Sequence, residues 1–282
     1  MKKGGVDVQV FACCTYNSSQ SKSIIEQKLS LLQSQFRKYS SHINLALKLS
    51  DISKAERDGK LAGIFAIEGG DAIENDLDNL KMFYKRGVRI MTIAWKSNDW
   101  ADASQQKMKH NGLTVFGKEV IREMNRLGML IDISHSADKT VEDILQTTAD
   151  PIIASHSNAK ALCNHPRNLT DNLIVEVASS GGVICVNFYP PFVQKYRAGD
   201  PPRPSYTKVV DHMEHIIKIA GIDSVGIGSD FDGIDKVVEG LEDSTKMPNI
   251  TRELLKRGYL EEEIAKIVGG NFLRVFGQVC GV

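Results

Sequence analysis

Short, nearly continuous apolar runs rich in Ile and Val recur along the chain. There are seven of them, at 6–12, 61–69, 88–95, 129–135, 151–156, 181–188 and 224–231. Runs of this kind are typical of strands that are buried on both faces, as they are in parallel sheets. The pattern therefore predicts seven parallel strands.

Amphipathic stretches with helical spacing separate these runs. The clearest lie at 75–87, 114–128 and 207–221, and a further pair, 251–258 and 261–277, closes the chain. In the second stretch, apolar residues share one face and Gly128 follows as the expected C-cap.

Strands that alternate with helices over 282 residues predict an α/β fold with a parallel sheet. The natural form at this length is a single (β/α)8 TIM barrel domain over residues 1–282, since such barrels take roughly 250 residues. A closed barrel needs eight strands and the pattern supplies seven, so an open seven-stranded sheet is the structural alternative.

Composition excludes several classes of protein. Lys+Arg and Asp+Glu both number 35, so the net charge is zero and nothing favours nucleic acid or an anionic membrane surface as a partner. No apolar stretch approaches the ~20 residues of a membrane span, and the N-terminus does not match a signal peptide, so the sequence as written predicts a cytoplasmic protein.

The five cysteines include no C-x-x-C pair, which favours reduced core residues over a zinc ribbon or disulfides.

Polar residues occur at four predicted strand ends: Glu68, His135, His156 and Asp230. In (β/α)8 enzymes the active site lies at the carboxyl ends of the strands. Each residue alone has an ordinary structural explanation, because a lone strand-end histidine is usually just hydrogen-bonded. Together they predict a metal site, since two histidines and one carboxylate form a common catalytic zinc ligand set.

Five segments in order also resemble one known family. They are "FAIEGGDAIENDLDNLKMFYKRGVRIMTIAW" (65–95), "GMLIDISHSA" (128–137), "PIIASHSNAKALCNHPRNLTD" (151–171), "VGIGSDFDG" (225–233) and "IVGGNFLRVF" (267–276). Together they are similar to the membrane (renal) dipeptidase family of zinc metallopeptidases, over almost the whole chain. The resemblance implies that Glu68 is a carboxylate bridging two zinc ions, and that His135 and His156 are ligands of the second zinc.

The same resemblance implies a substrate site for dipeptides, including those with a D-residue at the C-terminal side. Arg167 matches the arginine that pairs with the substrate carboxylate, and Asp230 matches the acidic residue that moves protons. Tyr189 and Trp95 fall where the substrate is bound, although some family members place a histidine near the position of Trp95. Hydrolysis by a metal-activated hydroxide follows, because zinc lowers the pKa of bound water toward ~7.

One feature of the family is missing from the start of this sequence. The family begins with a strand that ends in His-x-Asp, two ligands of the first zinc, whereas this chain opens with residues that match the family's second strand. The missing eighth strand and the missing ligands are therefore the same absence. Three explanations compete: an N-terminal truncation, a natural one-metal variant, and a non-catalytic relative. Under the first, a signal peptide could lie in the missing segment, so that the cytoplasmic prediction applies to the sequence as written. A truncated barrel would leave one edge of 6–12 and one edge of 224–231 unpaired.

The function predicted from the sequence is zinc-dependent hydrolysis of dipeptides. The alternatives are another metal-dependent amidohydrolase, such as a deaminase or lactonase, and a catalytically impaired or non-catalytic barrel. Arg167 favours the dipeptidase, because a purine substrate of a deaminase has no carboxylate for this arginine to bind. The resemblance also implies a homodimer. His212 and His215, on what reads as an outer helix, are predicted to be solvated.

Overall fold

The computed structural model describes residues 1–15, 20–195 and 203–281. They form two compact units. One comprises Asp7–Pro151 with Phe276–Val282, and the other comprises Met1–Val6 with Ile152–Val275. The prediction of one domain over 1–282 is not tested by this division and stays a prediction.

Parallel strands form the centre of the unit that contains Asp7–Pro151. They are β1 (Val8–Cys14), β2 (Ile43–Leu45), β3 (Leu61–Glu68), β4 (Val88–Thr92) and β5 (Leu130–Asp132). β3 pairs with β1 along its length, with β2 at its start and with β4 at its end, and β4 also pairs with β5. Every residue of β3 except Glu68 is buried, as expected for a strand covered on both faces.

Helices separate these strands in the order that the apolar pattern predicts. They are α1 (Ser21–Lys38), α2 (Leu49–Arg57), α3 (Leu77–Lys85), α4 (Val115–Leu127) and α5 (Asp138–Thr147). α4 shows why the pattern works: the Thr114 side chain accepts the Gly117 N–H at its start, and Val120, Ile121 and Met124 are buried. Gly128 ends it with φ 72°, so the predicted C-cap is confirmed.

The second unit continues the alternation of strands and helices. Its elements are β6 (Ile153–Ala154), α6 (Asp171–Ser179), β7 (Val183–Asn187), α7 (Pro190–Val193), α8 (Thr207–Ala220), β8 (Val225–Gly228), α9 (Pro248–Lys256) and α10 (Glu261–Ala265). The fully buried β7 pairs in parallel with β6 and β8. A last helix, α11 (Asn271–Cys280), closes the chain.

All seven predicted strands are present, although β1 occupies Val8–Cys14 rather than 6–12. The sequence pattern missed the three-residue β2 and several helices, among them α1, α2, α5 and α6. Within the ranges that the structure describes, β1 pairs only with β3, and β8 only with β7.

The five cysteines are buried and form no disulfide within the described part of the chain, as predicted for reduced core residues. Burial raises the pKa of the Cys13 thiol to about 11 and that of Cys280 to about 12, so neither carries a reactive thiolate near neutral pH. Among the described helices, none has both the length and the apolar character that crossing a membrane requires.

Candidate active site

Six of the seven residues that the sequence singled out lie at or just after the carboxyl end of a strand. Glu68 ends β3, Trp95 follows β4, His135 follows β5, His156 follows β6, Tyr189 follows β7, and Asp230 follows β8. Arg167 lies further along, in the long segment between β6 and α6. Polar residues at the carboxyl ends of strands are the usual active-site positions in this type of fold. Glu68, Trp95 and His135 belong to the first unit, and the other four belong to the second.

Glu68 and His135 form a close pair in the first unit. The distance between Glu68 Oε1 and His135 Nε2 is 3.0 Å, and the two side chains are 17% and 14% exposed. Two ligand atoms of a tetrahedral zinc ion, each about 2.0–2.2 Å from the metal, lie about 3.3 Å apart. The pair therefore fits the spacing that a shared metal ion requires.

The backbone around this pair is unusual in two places. His135 adopts φ 70°, a left-handed conformation that is rare for residues other than glycine and is concentrated at functional sites. Gly69, directly after Glu68, has φ 120°, and a Cβ on Gly70 would overlap the Trp100 ring. The two glycines of "EGG" thus let the chain turn tightly away from the end of β3.

Trp95 lies beside this pair. Its ring centroid is 6.4 Å from that of His135, and the Lys96 ammonium lies 4.9 Å from the centre of the Trp95 ring. An indole has no group that gains or loses a proton near neutral pH. Trp95 therefore adds bulk, an N–H group and a cation-binding face next to His135.

In the second unit, His156 is 8% exposed and its Nδ1 lies 2.7 Å from the Ser155 hydroxyl. Histidines that bind metal ions usually hydrogen-bond through their second ring nitrogen, which fixes the ring orientation. The contact with Ser155 restrains the His156 ring through Nδ1, which suits the predicted role of His156 as a ligand.

Arg167 is buried in the same unit, at 3% exposure. Its Nη2 donates to the His156 carbonyl at 3.3 Å, and its guanidinium lies 5.4 Å from the centre of the Phe192 ring. Burial, with a contribution from the Arg167 charge, lowers the pKa of His165 below its usual value. A buried guanidinium is suited to pair with a planar carboxylate.

Asp230 adopts φ 61°, again a left-handed backbone. Its Oδ2 accepts a hydrogen bond from Asn187 Nδ2 at 2.9 Å. The same Asn187 side chain accepts the Tyr189 N–H through Oδ1 at 2.5 Å, and the Tyr189 ring meets Phe192 edge-on at 4.9 Å. Asp230 and Tyr189, both site residues predicted from the sequence, are therefore linked through one asparagine.

The prediction that His212 and His215 are solvated is wrong for His212. His212 is 1% exposed; its Nδ1 accepts the Ala159 N–H at 3.1 Å, and its Nε2 lies 2.9 Å from the Val193 carbonyl. The loop after β6 and the short helix α7 cover this face of α8, which the helical pattern alone does not reveal. His215 is 19% exposed and pairs with Asp171.

Asn187 and Phe192 are the residues near the site that sequence reasoning missed. Asn187 ends β7 and is fully buried, so the strand-end rule that found Glu68 would also have found it. Phe192 gives no such signal, since one aromatic residue in a short helix reads as core.

Comparisons with known proteins show the family and the fold of this chain. The family model described as Membrane dipeptidase (Peptidase family M19) matches residues 1–282. Dipeptidase tcpJ of Claviceps purpurea (strain 20.1) is 38% identical over 255 residues, which cover 90% of this chain. The match spans 59% of that relative's length.

Solved structures show the same fold. The probable dipeptidase PvdM of Pseudomonas aeruginosa superposes with a TM-score of 0.93 at 26% identity, covering 99% of this chain and 87% of that one. A metallopeptidase from Rhodobacter sphaeroides, liganded with a phosphinate mimic of the dipeptide L-Ala-D-Ala, gives 0.90 at 25% identity, covering 99% and 88%. The predicted fold of (β/α)8-barrel type is confirmed. The chain belongs to the membrane dipeptidase family, peptidase family M19.

Proposed function

We propose that this protein is a zinc-dependent dipeptidase, which hydrolyses the single peptide bond of a dipeptide. The observation that carries the proposal is the pair of Glu68 and His135. A carboxylate oxygen and an imidazole nitrogen lie 3.0 Å apart at two strand ends of a chain that belongs to a metallopeptidase family.

The proposed ligands of the metal are Glu68, His135 and His156. Glu68 offers a carboxylate oxygen and each histidine a ring nitrogen, a mixed set that suits zinc and leaves a position open for water. When bound there, zinc would supply a water molecule of lowered pKa and would polarise the carbonyl group of the scissile bond.

Arg167 is proposed to bind the carboxylate at the C-terminal end of the substrate. Its burial against Phe192 limits the movement of the guanidinium, so that a bidentate pair would fix the distance between the substrate carboxylate and the scissile bond. Trp95 and Tyr189 are proposed to line the pocket. Substrates with a D-residue at the C-terminal side are included, since a related structure holds a mimic of L-Ala-D-Ala.

Asp230 is proposed to move the protons of the reaction. It would take one proton from the attacking water as oxygen bonds to the carbonyl carbon, and would deliver it to the leaving nitrogen as the C–N bond breaks. Its hydrogen bond to Asn187 directs one carboxylate oxygen, which supports a positioned rather than a freely rotating group.

The partners proposed for the chain are the dipeptide and a second copy of itself. The balanced charge gives no reason to expect nucleic acid. The homodimer rests on family resemblance and stays a prediction, which sedimentation velocity would test.

The test is hydrolysis of a dipeptide panel, measured by release of free amino acids with added zinc and again after chelation. We expect chelator-sensitive turnover of dipeptides, with L-Ala-D-Ala among the substrates and tripeptides excluded. His135→Ala should lose both turnover and zinc at this site, whereas His42→Ala is the matched control, because His42 is exposed. Full activity of His135→Ala would contradict the ligand assignment, and turnover of no dipeptide would favour a non-catalytic relative.

A further inference from the structure

Hydrogen bonds fix both the backbone and the side chain of Asn187 at the end of β7. It is fully buried, and its backbone N–H donates to Asn158 Oδ1 at 2.7 Å while its carbonyl accepts from Asn158 Nδ2 at 3.3 Å. Its side chain accepts the Tyr189 N–H and donates to Asp230. Each polar group of Asn187 therefore has a partner, as buried polar groups require, and the amide cannot turn without breaking a bond.

The other oxygen of the Asp230 carboxylate lies in the space left by the missing side chain of Gly233. The Gly233 N–H donates to the Asp230 carbonyl at 3.1 Å, which closes a tight turn. A Cβ on Gly233 would overlap Asp230 Oδ1. One carboxylate oxygen is thus bonded to an amide, and the other lies where only glycine leaves room for it.

From these contacts we propose that Asn187 and Gly233 are positioning residues for Asp230. Asn187 holds one oxygen of the carboxylate by a hydrogen bond, and Gly233 leaves the space that the other oxygen needs, so that the carboxylate keeps the orientation from which it exchanges protons with the attacking water and the leaving amine. The inference rests on the proposed function, since it assigns Asp230 its role. It adds two residues that act through Asp230 and do not touch the substrate.

Physical chemistry explains why such restraint matters here. Proton transfer needs heavy atoms within about 2.6–3.2 Å, and a carboxylate that rotates spends much of its time outside that range. Asp230 also sits in a left-handed backbone, which on its own does not select one side-chain orientation. The amide and the glycine together select it.

Asn187→Asp tests the amide with little change of shape. The variant keeps an oxygen for the Tyr189 N–H and replaces the N–H donor to Asp230 with a second carboxyl oxygen. We expect kcat to fall about tenfold or more with KM little changed, because that oxygen cannot hold the Asp230 carboxylate as the amide does. Gly233→Ala should show the same pattern, because its Cβ displaces the same carboxylate from the other side.

Gly269→Ala is the matched control, because nothing lies within 4 Å of the added Cβ. Its kcat should equal that of the wild type. Zinc content and melting temperature, measured for every variant, identify a loss of activity that comes from misfolding. A general structural role would lower kcat only in proportion to the folded, zinc-loaded fraction, and that result would overturn the proposal.

Crystal structures of the two variants separate this inference from the proposed function. We expect the Asp230 carboxylate to rotate or to occupy several orientations in both, on an unchanged backbone. A variant in which orientation and kcat do not change together contradicts the positioning role. A wild-type protein that hydrolyses no dipeptide contradicts the proposed function instead, and the crystal structures then still decide whether Asn187 and Gly233 hold the carboxylate.

Discussion

Acidification should destabilise this protein through the buried imidazole of His212. Burial lowers the pKa of His212 from 6.5 to about 4, although the Val193 carbonyl and the nearby Asp211 charge oppose that shift. Because the folded-state pKa is the lower one, the unfolded chain binds the proton more readily between these values. The stabilisation from neutral His212 is therefore complete above pH 6.5 and is lost as the pH falls toward 4.

The size of the effect follows from the two pKa values. They differ by about 2.5, and at 1.36 kcal/mol per pKa unit this corresponds to about 3 kcal/mol of unfolding free energy. Most of it, about 2.5 kcal/mol, should be lost between pH 7 and pH 4.5, and the remainder at still lower pH. Several carboxylates also lose stabilising contacts in acid, so the contribution of His212 has to be isolated by substitution.

The contribution of His212 can be isolated by urea unfolding of the wild type and of His212→Asn from pH 7 to pH 4.5. Asparagine keeps an oxygen that can accept the Ala159 N–H, but it has no donor at the position of His212 Nε2. The lost hydrogen bond to the Val193 carbonyl should lower the unfolding free energy at pH 7 by about 1–3 kcal/mol. The stability difference between the two proteins should shrink by about 2.5 kcal/mol on acidification. His42→Asn, at an exposed position, should show no such change. A difference in unfolding free energy between the wild type and His212→Asn that stays the same at every pH would show that protonation of His212 does not destabilise the fold.

Three further predictions concern binding and packing. Arg167→Lys should raise KM for dipeptides at least about tenfold, because an ammonium cannot make the bidentate carboxylate pair; equal KM values would contradict the assignment. Arg257→Ala should lower the free energy of unfolding in urea by about 1–3 kcal/mol, because Arg257 Nη1 lies 2.9 Å from Asp211 Oδ1 and 2.5 Å from Glu214 Oε2. An unchanged midpoint of urea unfolding would show that these ion pairs contribute nothing. Zinc at about 100 times its dissociation constant should stabilise the wild type by about 2.7 kcal/mol but not His135→Ala, which calorimetry would show. Equal stabilisation of both would place the zinc elsewhere.

The apolar pattern predicted the strands well because buried parallel strands require continuous apolar runs. β3 illustrates this, since seven of its eight residues are buried. β2 was missed because it has three residues, of which only Ile43 is buried, so no run is visible. α1 was missed for a related reason: in eighteen residues only Ser21, Ile25 and Leu29 are buried, which leaves a narrow apolar face.

The candidate site was predictable where backbone direction determines it. Strand ends gave Glu68 and His135, and the structure brings those two side chains together. The burial of His212 was not predictable, because it depends on loops that are distant in sequence from α8. The contact between Asn187 and Asp230 joins residues 43 positions apart, and no local pattern reveals such a pair.

The most direct test is the rate of dipeptide hydrolysis by the zinc-loaded protein, before and after chelation, beside His135→Ala. We expect turnover of dipeptides that disappears on chelation, returns with zinc and is absent from His135→Ala. Turnover that survives both chelation and the substitution would contradict the proposed function, because the proposed chemistry depends on a metal ion held by His135.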